Sequence, residues 1–330
     1  MSSSDYQIFQ DYLAAFATGP TEHVASAVED FFADDAQINV VHPFNLLEGG
    51  RAYFERFIKP LMASFSGLYR RDYVAMSGQK DGEDWVSSTG YYVGNFVADW
   101  LGIRATNQMT YLRVGEFHRM VGGKVQESYI FLDIPELMIA AGQWPDLPSP
   151  AEVKGHTGFL PGPATQDGLQ GEERDVEATA MSLQMVEDML LGLATPDEAW
   201  RPYWHENMVW YGPAAFGSYL GVENFRAFQV PFEQTFEYWV GGTKPGSETR
   251  HFTRFAQNNY VCSGGWPSLN AKQAKPYLGQ PSTGKVLYMR VSDWWRRDGD
   301  KLIENWVFVD IPHVLLQMGY DVFDHLPGRR

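Results

Sequence analysis

The sequence predicts an α+β protein built from two tandem domains, and three observations carry that prediction. A phrase is written twice: "YIFLDIP" at Tyr129–Pro135 and "WVFVDIP" at Trp306–Pro312, 177 residues apart in a chain of 330. In each copy, segments of helical period come first and strand-like segments follow, which is an α+β layout. Between the copies lies a Pro- and Gly-dense stretch without sustained periodicity, which marks a linker over 143–174. The domains are therefore expected at 1–142 and 175–330.

The repeat is far longer than the phrase. At the same offset, 15 of the 42 residues from 101 to 142 are identical, among them Leu101-Gly102 with Leu278-Gly279 and Asp133-Ile134-Pro135 with Asp310-Ile311-Pro312. Upstream, Gly50, Phe54, Phe57, Pro60 and Phe65 meet Gly221, Phe225, Phe228, Pro231 and Phe236 at an offset of 171. Six extra residues must therefore enter the second copy, expected within 241–250 or 268–277. The period is too long for a solenoid, so each copy should be a domain of its own.

The elements follow in order. "YQIFQDYLAAFATG" and "ATAMSLQMVEDMLLGLAT" read as amphipathic helices, the second with Met181, Met185, Met189 and Leu193 at helical spacing. A short helix leads into a first strand at "FFADDAQINVV" or "YWHENMVWYGP". Another helix follows, with Phe54, Phe57, Ile58 and Leu61 on one face in the first copy. The strands "DWVSSTGYYVGNF", "MTYLRVGEFHR" and "KVQESYIFLDI" then form a meander. The last two are joined by the hairpin signals "MVGGK" and, in copy two, "RDGDK". Residues 128–132 and 305–309 are apolar at nearly every position, so those strands should be buried on both faces. Asp133 and Asp310, each just before Ile-Pro, should cap short helices.

Hydrophobic residues make up 44% of the chain, enough for full cores. The formal net charge of −15 argues against nucleic acid or anionic lipid as a partner. A single cysteine, Cys262, excludes an internal disulfide framework and fits a reducing compartment. The N-terminal stretch has no basic region and carries Asp5 and Asp11, so it reads as a helix rather than a signal peptide. No apolar run approaches the ~18 residues of a membrane span. These features predict a soluble, cytoplasmic protein. Aromatic residues reach 15%, which suits either an aromatic core between packed layers or an apolar ligand cavity.

In the second copy, Gly279, Pro281, Thr283-Gly284-Lys285, Arg296, Gly299, Lys301, Glu304, Trp306, Asp310, Leu315-Leu316, Gln317 and Gly319 resemble the motif of the SnoaL-like polyketide cyclase family, within the NTF2-like superfamily. The first copy keeps Gly102, Thr106, Gly122, Lys124, Glu127, Asp133 and Gly142 of it. The resemblance implies two tandem NTF2-like cone-shaped domains, each a curved antiparallel sheet wrapped by helices, packed on each other as an internal pseudo-dimer. It also implies a pocket for a small hydrophobic molecule, and cofactor-independent acid–base chemistry on a carbonyl compound of polyketide-like type.

The family's catalytic pair does not carry over. Its aspartate falls at Ile130 and Val307, and its histidine at Thr110 and Leu287, none of which moves a proton. The candidate catalytic residues are instead His42, Tyr211 and Asn305, placed by the pattern near a pocket mouth. Glu116 and His118, read as facing Glu127 across the hairpin, form a polar patch in copy one, with Asp293, Trp295 and Glu304 in copy two. Asp34-Asp35 and His205-Glu206 read as helix-end or turn residues. Histidine spacing offers no metal site, and no phosphate loop or nucleophile elbow appears. Two functions stay open, an acid–base enzyme and a non-catalytic binding protein, with a purely architectural role as a third. A carboxylate or histidine of raised pKa inside either pocket would separate the first two.

Overall fold

In the computed structural model, the described residues are 3–18, 21–148, 162–241 and 251–328. The chain divides into two units. Unit 1 takes in Met1–Pro145, Ala164–Glu173 and Phe323–Arg330, and unit 2 takes in Asp146–Pro163 and Arg174–Val322. Of the 143–174 stretch, residues 149–161, including Phe159 and Leu160, lie outside the described residues. Among the described residues no helix is long and apolar enough to cross a membrane.

In unit 1, helices α1 (Ser3–Thr18) and α2 (Thr21–Phe31) precede β1 (Phe32–Val40) and β2 (Asn45–Glu48). Helices α3 (Gly49–Tyr53) and α4 (Lys59–Ser64) are continuous through a wide π turn at Phe54–Ile58. Phe54, Phe57, Ile58 and Leu61 are all buried, as their spacing predicts. Strands β3 (Phe65–Lys80), β4 (Glu83–Phe96), β5 (Met109–Val121) and β6 (Lys124–Leu132) form the meander, and α5 (Ile134–Ala140) ends it. The sheet order is β2-β1-β6-β5-β4-β3. All its neighbours are antiparallel except β1 and β6, which run parallel.

Unit 2 repeats the plan with α6 (Val176–Leu191), β7 (Trp204–Tyr211), β8 (Tyr219–Leu220), α7 (Val222–Thr235), β9 (Phe236–Gly241), β10 (His251–Gln257), β11 (Tyr260–Gln273), β12 (Val286–Asp298), β13 (Lys301–Val309) and α8 (Ile311–Gln317). A single 3-10 turn, Arg201–Tyr203, stands where the sequence suggests a short helix. The path β10-β11-β12-β13-β7-β8 again has one parallel pair, β13 with β7. On α6 the buried positions are Ser182, Val186 and Met189, while Met181 is exposed. The stripe turns toward Ser182 because its hydroxyl donates to Ala178 and receives Arg297 Nε at 2.8 Å.

The duplication extends to backbone detail. Leu101 and Leu278 both have positive φ, 53° and 48°, a region bulky side chains rarely enter. Each is followed by a positive-φ glycine within a closed bridge, Trp100 to Ile103 and Tyr277 to Gln280. Asp133 accepts from the backbone N–H of Glu136, and Asp310 from that of His313, so both are N-caps. Each also holds an arginine at 3.0 Å, Arg113 and Arg290.

Register locates part of the insertion. Gly90 and Tyr92 pair with Val114 and Leu112 on β5, with only Tyr91 between them. Their counterparts on β12, Val291 and Met289, pair with Gly265 and Leu269, which enclose Trp266, Pro267 and Ser268. Two of the six extra residues are therefore a bulge in β11. The bulge meets the expected 268–277 only at Ser268, and of the expected 241–250, residues 242–250 lie outside the described residues.

Candidate functional site

Side chains alternate across a strand, so residues in direct register share a face. Arg254, Ser263, Asp293 and Val307 form one such row across β10 to β13. The next row toward the hairpin carries Trp295, Asn305 and Trp210. This face of the sheet, with α6 and α7, lines a partly open cavity of about 130 Å³. By the volume one water requires, that is room for on the order of ten waters. Its walls are aromatic, with Trp204, Trp210, Phe216, Phe225, Phe228 and Phe232, and its polar groups include Gln229, Ser268, Asp293 and Asn305.

Asp293 is the acid of this cavity. It is half-buried. Asn305 Nδ2 donates to its Oδ1 at 3.2 Å and to the Trp294 carbonyl at 3.1 Å. Burial pushes the Asp293 carboxyl up to about 7, against the opposing pull of the Asn305 hydrogen bond and the Arg254 charge. It is therefore poised to exchange a proton near neutrality.

A second chain of groups reaches the cavity at Ser268. Arg254 Nε donates to Ser263 Oγ at 3.2 Å, and Arg254 Nη2 donates to His251 Nδ1 at 3.4 Å. Burial and the Arg254 charge lower His251 to about 4, so the ring is neutral at pH 7. With Nδ1 accepting, the ring proton is on Nε2. That nitrogen lies 3.3 Å from the Ser268 carbonyl and 3.2 Å from Ser268 Oγ. A neutral ring has one hydrogen there, and the Ser268 carbonyl and hydroxyl oxygens are both in reach of it as acceptors. The β11 bulge is what brings this hydroxyl to the cavity.

Two tryptophans of the same wall, Trp204 and Trp295, carry buried indole N–H groups that have no acceptor among the described residues. Buried donors are nearly always paired; the indole N–H of Trp200, which does not line the cavity, shares this state.

The candidates read from sequence fall in different places. Asn305 lines the cavity. Tyr211 sits one residue out of phase with the cavity-facing Trp210; its hydroxyl donates to Glu304 at 3.2 Å and its ring stacks on Trp306 at 5.3 Å. His42 belongs to unit 1, in the turn between β1 and β2, with its ring 5.6 Å from that of Phe323. Val307, where the family motif has its aspartate, lines the cavity directly across from Asp293. Leu287, at the histidine position, is buried.

The polar patch expected in copy one is instead two separate groups. A bulge between Arg119 and Met120 shifts the register, so His118 faces Ser128 and Arg119 faces Glu127. Glu116 and His118 are fully buried. Arg70 Nη1 donates to Glu116 at 2.6 Å, and His118 Nε2 lies 3.1 Å from the same carboxylate. Burial alone would raise Glu116, but Arg70 and His118 outweigh it and hold it at about 2. The same shift in copy two, between Arg296 and Arg297, puts Asp293 and Trp295 on the cavity face and Glu304 on the other. Among the described residues, no group of three or more His, Cys, Asp or Glu side chains is placed to hold a metal ion.

Neither a family sequence model nor any curated protein matches the chain. Solved structures do. A SnoaL-like polyketide cyclase, so assigned, from Jannaschia sp. CCS1 is 18% identical, with 46% of this chain and 98% of that one covered and a TM-score of 0.36. An NTF2-like protein from Burkholderia thailandensis is 21% identical, covering 41% and 94%, with a TM-score of 0.32. Another from Burkholderia xenovorans is 15% identical, covering 42% and 95%, with a TM-score of 0.34. Each unit is an α+β domain with helices ahead of a mixed sheet, and the two follow one another along the chain.

Proposed function

We propose that unit 2 is an acid–base enzyme without a cofactor, acting on a small, largely apolar carbonyl compound, with Asp293 as the general base. The observation that supports this reading is one carboxylate, on the wall of an aromatic cavity, held near neutrality by burial. A base of that kind takes a proton from the carbon beside a carbonyl, and Asn305 orients it. Val307 across the strand leaves the acid without a second carboxylate to pair with. In this reading the family's strand aspartate is replaced by one on the neighbouring strand, facing the same space. The protein would work in the cytoplasm.

The aromatic walls also favour a second reading, a carrier that binds such compounds without changing them. Deuterium exchange decides between them. Proton NMR in D₂O follows loss of the signal at carbon 2 of 1-indanone with the full chain. The enzyme reading expects exchange faster than in buffer, rising with pH through about 7 as Asp293 ionises. Asp293→Asn should slow it by on the order of 10²–10⁴-fold. Binding of the ketone with no acceleration would establish the carrier instead.

A further inference from the structure

Building on Asp293 as base, we propose that Trp295 is a catalytic hydrogen-bond donor, whose indole N–H receives the carbonyl oxygen of the compound that loses its proton. Trp295 is 2% exposed, lines the cavity, and its Nε1 has no acceptor among the described residues. It stands two residues from Asp293 on β12, on the same face, about 7 Å away along the strand. A carbonyl oxygen and the carbon that bears the acidic proton are separated by a single atom. A ligand lying along β12 can therefore present its oxygen to Trp295 and its acidic carbon to Asp293.

The repeat strengthens the assignment. The residue equivalent to Trp295 in unit 1 is His118. Both of its ring nitrogens are engaged, Nδ1 with Ser128 Oγ at 2.7 Å and Nε2 with Glu116 at 3.1 Å. Unit 1 satisfies this position from within. Unit 2 replaces it with a group that can only donate, and supplies no acceptor among the described residues.

The step balances without any co-reactant. The Asp293 carboxylate takes the proton, the C–H electron pair becomes the C=C bond, and the C=O π pair moves to oxygen. The resulting enolate oxygen accepts a hydrogen bond from the Trp295 N–H, which strengthens as negative charge builds on that oxygen. Return of the proton from the Asp293 carboxyl to carbon restores both residues.

The probes are 1-indanone and indane, one skeleton with and without the carbonyl oxygen. Calorimetry measures both affinities for the full-length protein and for Trp295→Phe, which keeps an aromatic ring and removes the donor. The wild type should prefer the ketone, and Trp295→Phe should cut that preference about ten-fold. Deuterium exchange should fall by on the order of 10²-fold. Should the variant fold poorly, NMR of the wild type serves: an indole N–H resonance should move downfield with 1-indanone but not with indane. An unchanged preference and exchange rate in Trp295→Phe, or no such resonance, overturns the donor role while Asp293→Asn still reports on the base. Failure of the wild type to bind either probe removes the cavity reading and this inference together.

Discussion

Glu116 and Asp293 occupy the same position of the repeat, on the inner face of equivalent strands, yet they meet opposite surroundings. Glu116 lies against Arg70, which also holds Asp72 and donates to Ser88 Oγ at 2.9 Å. Rings of Tyr12, Phe31 and Phe32 crowd His118 beside it. Asp293 has an amide neighbour, a more distant arginine, and open volume in front of it. The repeat thus carries a neutralised acid packed beside aromatic rings in one half and an under-compensated acid beside a cavity in the other. What separates them is where the cation is placed, not the fold.

Removing that cation should have the largest effect. Arg70→Leu leaves Glu116 buried without its partner and should destabilise unit 1 by about 3–5 kcal/mol, measured by urea unfolding of the full chain. Because Glu116 is held at about 2 against an ordinary 4.5, its contribution is complete above pH 4.5 and lost as the pH falls toward 2. A wild-type stability that stays flat across that window would contradict the pairing.

Asp293 carries the opposite sign. Its carboxyl sits at about 7 when folded and 3.8 in the ordinary case, so the folded state keeps a proton that the unfolded chain releases. Stability of unit 2 should therefore decline as pH rises from about 4 to 7. Asp293→Asn should flatten that slope and raise stability above pH 7 by as much as about 3 kcal/mol, while proton exchange is lost. Thermal unfolding at pH 5 and pH 8 reads both arms, and a variant less stable than wild type at pH 8 would break the contrast.

The smallest effect sharpens the comparison on the opposite face. Arg119–Glu127 and Arg296–Glu304 are equivalent ion pairs. The first is part-exposed, whereas Glu304 is 3% exposed. Arg119→Met should cost under about 1 kcal/mol, and Arg296→Met about 2 kcal/mol, by chemical denaturation. Equal losses would show that burial does not distinguish the two faces.

Much of this was legible from residues alone. Local signals were enough for the capping of α5 and α8 by Asp133 and Asp310, the hairpin turns, and the apolar runs of β6 and β13. The cavity acid was not, for a specific reason. Counting from the hairpin pairs His118 with Glu127, and one bulged residue moves every later pairing by one, which exchanges the faces. The Ser268 bulge and the approach of Arg70 to Glu116, 46 residues away in sequence, likewise depend on long-range geometry. The signal that could have found Asp293 was present: at the offset of 177 it meets Glu116, in the same phase as Asn305 and Val307.

The make-up of unit 1 has a consequence for biosynthesis. It includes residues from 323 onward, so the ribosome must translate all of unit 2 before unit 1 has its full set of residues. The half that is started first is completed last. Domains usually fold in the order they emerge, yet here the last contacts of the first domain form only after its duplicate has been made.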